Sequence, residues 1–127
     1  MTPYEAWKKA NIDEVDAVFY SGPGGGYYKM TPEQAYYKAI RDGKRLIELE
    51  DIVLTDAFWA YIYAENIIKS RWIEAEDVIM TDPSPCFYYA EYVIKGKLPK
   101  KMHNMMILRA IKDLNDYCVK NYFELIK

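Results

Sequence analysis

The side chains that could carry out chemistry are few and scattered along the chain. His103 is the only histidine, and Cys86 and Cys118 are the only cysteines. A zinc site needs several His or Cys ligands, commonly in close pairs, and no such spacing occurs here. A catalytic Cys–His pair needs only proximity in space, so it stays an alternative to a packing role for these residues. We predict that the protein is not an enzyme and has no catalytic residue, no metal and no cofactor.

A glycine-rich stretch near the N-terminus is the other candidate for chemistry. Four of the six residues in 21–26 are glycine. Such a loop can surround a phosphate group, but no Gly-Lys-Ser/Thr follows it. The flanking residues fit either a β-hairpin around the loop or a short helix over residues 12–20 before it. If this stretch sequesters a small molecule or nucleotide, the candidate residues are Gly24, Gly25, Gly26, Tyr27 and Tyr28.

Length, charge and targeting signals limit the class of protein. A chain of 127 residues is long enough for one compact domain. A net charge of −2 predicts no strong general affinity for nucleic acid or for an anionic membrane. No apolar run approaches the roughly 18 residues that a spanning helix needs, and no secretory signal is present. We therefore predict a cytoplasmic protein with reduced thiols and no membrane partner.

The strongest signal in the sequence is an internal repeat of 26 residues. Residues 63–72 match residues 89–98, and residues 50–56 match residues 76–82 at the same offset. Two independent matches at one period indicate a repeat architecture. Each unit contains two helical patterns, of which those in the second unit run from about 56 to 69 and from about 73 to 80.

Helix-start signals give the same organisation. Thr-Pro or Asp-Pro pairs and a capping acid predict helices that begin near residues 3, 32, 57 and 83. Further helices are predicted from Pro99 to about Lys112 and from Tyr117 to Ile126. We predict a single all-α domain of stacked αα-hairpin repeats, in which only the N-terminal stretch could form a β-hairpin. Its parts are an N-terminal cap and glycine-rich loop (1–30), three repeats (31–56, 57–82 and 83–107) and a C-terminal cap (108–127).

Aromatic residues make up 16% of the chain, and Tyr outnumbers Phe by 13 to 4. Packing between like helices explains many of them, but a core chosen for packing alone would use more Phe and Leu. Tyr combines an apolar ring with a polar tip, and Tyr and Trp are enriched in protein interfaces. The candidates for a binding face, because they lie off the Ala64/Ala90 stripe, are Trp59, Tyr63, Tyr88 and Tyr92.

Charge is distributed unevenly between the middle and the end of the chain. Residues 31–82 contain six basic and eleven acidic residues, whereas residues 83–127 contain eight basic and four acidic ones. The two faces could be ordinary solvated helix surfaces, or an acidic strip for a basic partner and a basic patch for nucleic acid. The acidic candidates are Glu74, Glu76 and Asp77, and the basic ones are Lys97, Lys100 and Lys101.

Residues 63–82, followed by Pro83 and by residues 89–96, resemble a short helical repeat of uncharacterised proteins of tailed bacteriophages. In that pattern Tyr-Ala precedes Val-Ile-Lys-Gly-Arg, then Glu-Ala-Glu, and Asp-Pro starts the next unit. The third unit departs from it with Lys-Lys-Met at 100–102. The resemblance covers residues 45–107 well and residues 1–30 hardly at all, and it transfers no catalytic residue. It implies a phage protein in the infected bacterial cell that binds and modulates or inhibits a host protein, such as a CRISPR-type defence complex.

Overall fold

The computed structural model describes residues 30–127, and this part of the chain is helical without a β-strand. The all-α prediction is therefore confirmed for these residues, whereas the predicted helix near residue 3, the β-hairpin and the glycine-rich loop lie outside them. The α-helices are α1 (Pro32–Asp42), α2 (Ile47–Val53), α3 (Ala57–Tyr63), α4 (Ile73–Ile79), α5 (Pro83–Tyr88), α6 (Lys100–Lys112) and α7 (Tyr117–Leu125). Two π-helical turns extend α3 and α5 without a break, namely π1 (Ala64–Ile68) and π2 (Tyr89–Ile94).

The helix starts follow from the capping residues in the sequence. Thr31 forms a capping box with Gln34, in which each residue's side chain accepts a hydrogen bond from the other's backbone N–H. The Asp56 carboxylate accepts from the backbone N–H of Trp59 at 3.0 Å, and Asp82 caps α5 in the same way. These side chains satisfy N–H groups that would otherwise lack a partner. The predicted starts near 32, 57 and 83 are thus confirmed.

The helix ends differ between the first unit and the two that follow it. Gly43, Lys69 and Lys95 stand 26 residues apart, and all three have left-handed backbone conformations with φ of 69°, 62° and 62°. The backbone N–H of Gly43 bonds to the carbonyl four residues back, whereas that of Lys69 bonds to the carbonyl of Ala64, five residues back. The π turn therefore contains one residue more than the corresponding turn of α1.

With their π extensions, α3 and α5 are longer than α2 and α4. Contacts run along the chain from α1 to α3, from α3 to α5 and from α5 to α7. The short helices α2 and α4 both contact α3, and α6 contacts α7. Each of the two short helices buries a pair of side chains four residues apart on its inward face. The pair is Leu49 and Val53 on α2, and Ala75 and Ile79 on α4, and all four side chains are fully buried. The remaining core consists mainly of tyrosines, alanines and methionines from the longer helices.

Candidate functional site

Three buried tyrosines join consecutive helices, and we call each such cluster a tyrosine junction. In the first junction, the Tyr63 hydroxyl accepts a hydrogen bond from the backbone N–H of Leu46 at 3.0 Å and donates to the Glu50 carboxylate at 2.8 Å. Arg45 holds the same carboxylate with two bonds of 2.9 and 2.7 Å. Tyr63 is fully buried, and burial raises the pKa of its hydroxyl, so it remains a donor.

The second junction repeats the first one 26 residues later. Tyr89 accepts from the backbone N–H of Trp72 at 2.8 Å and donates to the Glu76 carboxylate at 2.8 Å. Arg71 bonds to both oxygens of Glu76 at 2.7 and 3.0 Å. The Trp72 N–H, the Tyr89 hydroxyl and both Glu76 oxygens therefore have partners, which is the condition for burying a carboxylate without a large cost.

The third junction replaces the carboxylate with a neutral ring. Tyr122 of α7 accepts from the backbone N–H of Leu98 at 3.1 Å, and its hydroxyl lies 2.6 Å from Nδ1 of His103. The residue 26 positions after Glu76 is Met102, which is buried beside His103. Burial and the nearby Lys97 lower the pKa of His103, which keeps the ring neutral.

The junctions correct two of the predicted binding residues. Tyr63 is fully buried and Glu76 is 8% exposed, and both are bonded within the protein, so neither can contact a partner in this structure. Their role is to connect α2 to α3 and α4 to π2. The preference for Tyr over Phe is explained at these positions, because each hydroxyl satisfies a buried backbone N–H and a second polar group.

The other aromatic candidates belong to a continuous series of ring contacts. Trp59 lies 5.2 Å from Phe58 between ring centroids, Phe58 lies 6.4 Å from Tyr61, and Tyr61 lies 5.9 Å from Tyr88. Tyr88 then contacts Tyr92 at 6.3 Å. We call these five residues the aromatic row. Its two most exposed members are Phe58 and Tyr92, at 43% and 50%, whereas Trp59 and Tyr88 are half-buried.

Within the aromatic row, Tyr61 is buried and donates a hydrogen bond to Glu65. Burial and the Glu65 carboxylate raise the pKa of the Tyr61 hydroxyl. This bond fixes the ring that connects the Trp59 end of the row to the Tyr92 end. The row therefore presents rigid aromatic side chains at the surface of two successive units.

The predicted charged candidates remain on the surface except for Glu76. Glu74 and Asp77 are exposed, as are Lys97, Lys100 and Lys101. The acidic and basic sets meet at one point, where Lys101 Nζ lies 2.7 Å from the Asp77 carboxylate. An ion pair between two side chains this exposed contributes little to stability. The glycine-rich candidates Gly24, Gly25, Gly26, Tyr27 and Tyr28 lie outside the described residues.

An exposed apolar surface on α6 was missed by the sequence reasoning. Leu108 is 57% exposed and Ile111 is 74% exposed. Together with Met105, Arg109 and Lys112 they line a shallow groove, which we call the C-terminal groove. Leu114 and Tyr117, which follow in the chain, are 73% and 74% exposed. The available signal was a second apolar stripe on α6, because Met102 and Met106 already form the buried one.

The two cysteines and the histidine each contact other residues of the protein. Cys86 is buried, and burial raises the pKa of its thiol to about 12, which leaves very little thiolate. The Cys118 sulfur lies 3.4 Å from the Ser84 hydroxyl, and the His103 ring contacts Tyr122. Between residues 30 and 127, no three His, Cys, Asp or Glu side chains are grouped so as to hold a metal ion.

Two further findings concern membranes and known proteins. None of the helices in the described part of the chain has the length and apolar character required to cross a bilayer. Comparison of the chain with protein-family models, curated proteins and solved structures finds no match.

Proposed function

We propose that the chain is a non-enzymatic protein that binds another protein through exposed apolar side chains of its C-terminal half. The observation that carries this proposal is the exposure of Leu108 and Ile111 on a helix whose opposite face is in the core. Full burial of such a side chain is worth about 1.5–3 kcal/mol, so leaving both in water forgoes stability. Grouped apolar side chains exposed in this way are typical of an interaction site.

The aromatic row supports the same function and supplies a second contact surface. Tyr and Trp are enriched in interfaces because they offer a large, rigid contact area with few rotamers to restrict. Phe58 and Tyr92 are half-exposed. The ring of Phe58 packs against Tyr61, and the ring of Tyr92 packs against Tyr88. We therefore retain Tyr92, Trp59 and Tyr88 as partner-binding candidates and add Phe58.

We further infer that the units 31–56, 57–82 and 83–107 stack as αα-hairpin repeats. The support is the contact series α1–α3–α5–α7 together with tyrosine junctions that recur at the 26-residue offset. Repeat proteins of this kind offer extended surfaces to partners. Within such a stack, the C-terminal groove would lie where the third unit (83–107) joins the C-terminal cap (108–127).

The resemblance to phage helical repeats supports a narrower proposal. The partner would be a protein of the bacterial host, bound in its cytoplasm and modulated or inhibited by the interaction. The match over residues 63–96 is the basis for this step. Binding of nucleic acid by Lys97, Lys100 and Lys101 remains an outcome that the experiment can reveal, although Lys101 is already paired with Asp77.

Affinity capture with matched variants tests the proposal. The full chain would be compared with a Leu108→Ser/Ile111→Ser variant and with an Ile47→Ser/Ile73→Ser control, whose two residues are 65% and 64% exposed. Nuclease-treated bacterial lysate would be used, and thermal unfolding would verify that both variants fold. We expect a host protein that the control captures and the groove variant loses. Capture of the same proteins by both variants, or loss of all capture after nuclease treatment, would refute the proposal.

A further inference from the structure

We propose that the C-terminal groove binds an acidic amphipathic helix of the partner protein, an inference that rests on the proposed function. Lys101, Met105, Leu108 and Lys112 are spaced by four, three and four residues, which places them along one face of the helix. Apolar side chains thus form the middle of this face and cations stand at both ends. The face is about 16 Å long at 1.5 Å per residue, which corresponds to three turns of a partner helix.

The positive charge of α6 favours an acidic partner. The helix contains four basic residues and no acidic one. Arg109 lines the groove and donates to the Met80 carbonyl at 2.7 Å, and no carboxylate among residues 30–127 forms an ion pair with it. Lys112 has no ion-pair partner among residues 30–127 and is exposed. A helix bearing Glu or Asp beside its apolar stripe would complement both charges, since charge complementarity sets orientation and suppresses wrong partners.

The same charges disfavour a second copy of this chain as the occupant. Antiparallel pairing of two α6 helices would place Lys100 and Lys101 next to Arg109 and Lys112, with no acid on either helix to compensate. Juxtaposed like charges oppose association across an interface. The groove therefore fits a partner of opposite charge better than it fits itself.

An anionic membrane surface is also a poorer occupant than an acidic helix. A basic amphipathic helix can lie on such a surface, but basic clusters that attract anionic lipid contain about four to eight Lys or Arg, and Lys101, one of the four on α6, is already paired with Asp77. All the residues that line the C-terminal groove belong to α6, so a partner helix would pack along this one helix face with its own apolar stripe.

The test uses the full chain and three probes. The first probe is a fluorescein-labelled amphipathic peptide with Leu at i, i+3 and i+7 and Glu on both flanks. The second is the same peptide with Lys in place of Glu, and the third is a vesicle of phosphatidylcholine and phosphatidylserine. Fluorescence anisotropy measures the peptides and co-sedimentation measures the vesicles. We expect the acidic peptide to bind at least about tenfold more tightly than the basic one. Its binding should weaken as the salt concentration rises from about 0.1 to about 1 M.

Variants separate the apolar and ionic parts of the site. Lys112→Glu should weaken binding of the acidic peptide by about tenfold and strengthen binding of the basic one. The control Lys44→Glu, on the exposed loop after α1, should change the affinity for neither peptide. Ile111→Ser should weaken the binding of both peptides. Equal binding of the two peptides, binding to vesicles alone, or a concentration-dependent dimer blocked by Ile111→Ser would overturn the inference.

The outcomes also separate this inference from the proposed function. If the Leu108→Ser/Ile111→Ser variant loses a host protein but the acidic peptide does not bind, the partner's chemistry is wrong and the binding surface stands. If neither experiment shows an effect at the groove, both proposals fail.

Discussion

Removal of one hydroxyl group, in Tyr63→Phe, should destabilise the protein far more than its size suggests. The ring remains in place against Trp72, with 5.0 Å between centroids, so the change creates almost no cavity. Two polar groups lose their partner, namely the backbone N–H of Leu46 and the carboxylate of Glu50. An unsatisfied buried donor costs about 1–3 kcal/mol, and a hydrogen bond to a charged group contributes about 1.5–3 kcal/mol. Because Arg45 still holds Glu50, we expect a net loss of about 2–4 kcal/mol in the free energy of unfolding.

Comparison across the junctions makes this prediction specific. Tyr89→Phe should cost the same amount to within about 0.5 kcal/mol, because its partners and distances repeat those of Tyr63. Tyr122→Phe should cost less, because one of its two partners is a neutral histidine ring rather than a carboxylate. Tyr92→Phe is the matched control, since Tyr92 is half-exposed and the change there should stay within about 0.5 kcal/mol.

Urea unfolding followed by circular dichroism measures these differences. The slope of the unfolding free energy with urea should stay the same in all variants, because the surface exposed on unfolding does not change. A double-mutant cycle of Tyr63→Phe with Glu50→Gln should give a coupling of about 0.5–3 kcal/mol, because the two side chains are in contact. A loss for Tyr63→Phe no larger than that for Tyr92→Phe would refute the reasoning about the junctions.

Three further predictions concern backbone conformation, pH and thiol reactivity. Lys69→Gly and Lys95→Gly should each raise the melting temperature, with a gain of up to about 1 kcal/mol, because both lysines have left-handed backbones that Gly adopts without steric cost. Burial alone would raise the pKa of Glu50, but the hydrogen bonds from Arg45 and Tyr63 outweigh it and lower that pKa. Stability should therefore fall as the pH drops below about 4.5, and less steeply in Glu50→Gln. In the native protein Cys118 should react with a thiol reagent faster than Cys86, which is fully buried.

Controls for these predictions are available within the chain. Lys97→Gly, at an exposed position between the second π turn and α6 without a left-handed φ, should not be stabilising. A pH profile of Glu50→Gln identical to that of the original protein would contradict the role assigned to this carboxylate. Equal modification rates for the two thiols under native conditions would indicate that α5 opens more readily than its burial suggests.

The helical framework could be predicted from the sequence because its signals are local. Thr31, Asp56 and Asp82 stand directly before the helices they cap, and each satisfies a backbone N–H within three residues. The 26-residue repeat is likewise visible without coordinates. The π turns could not be predicted, because the extra residue in each turn depends on where Lys69 and Lys95 take a left-handed backbone conformation and end the helix.

The role of each aromatic side chain was decided only by the tertiary structure. Tyr63 and Tyr92 look alike in the sequence, yet one is fully buried against Glu50 and the other is half-exposed. The difference arises from hydrogen bonds that connect residues 13 and 17 positions apart in different helices, and helical periodicity carries no information about them. Glu76 became a buried junction residue for the same reason.

The sequence by itself determined the helices, their caps and the repeat, since these depend on interactions within a few residues or on internal identity. The tertiary structure alone decided which apolar residues are left in water. Ile79 and Ile111 are both helical isoleucines, but the first is fully buried on α4, which packs against α3, whereas the second is 74% exposed on α6. Exposure depends on the packing of neighbouring helices, and for that reason the C-terminal groove emerged only from the folded chain.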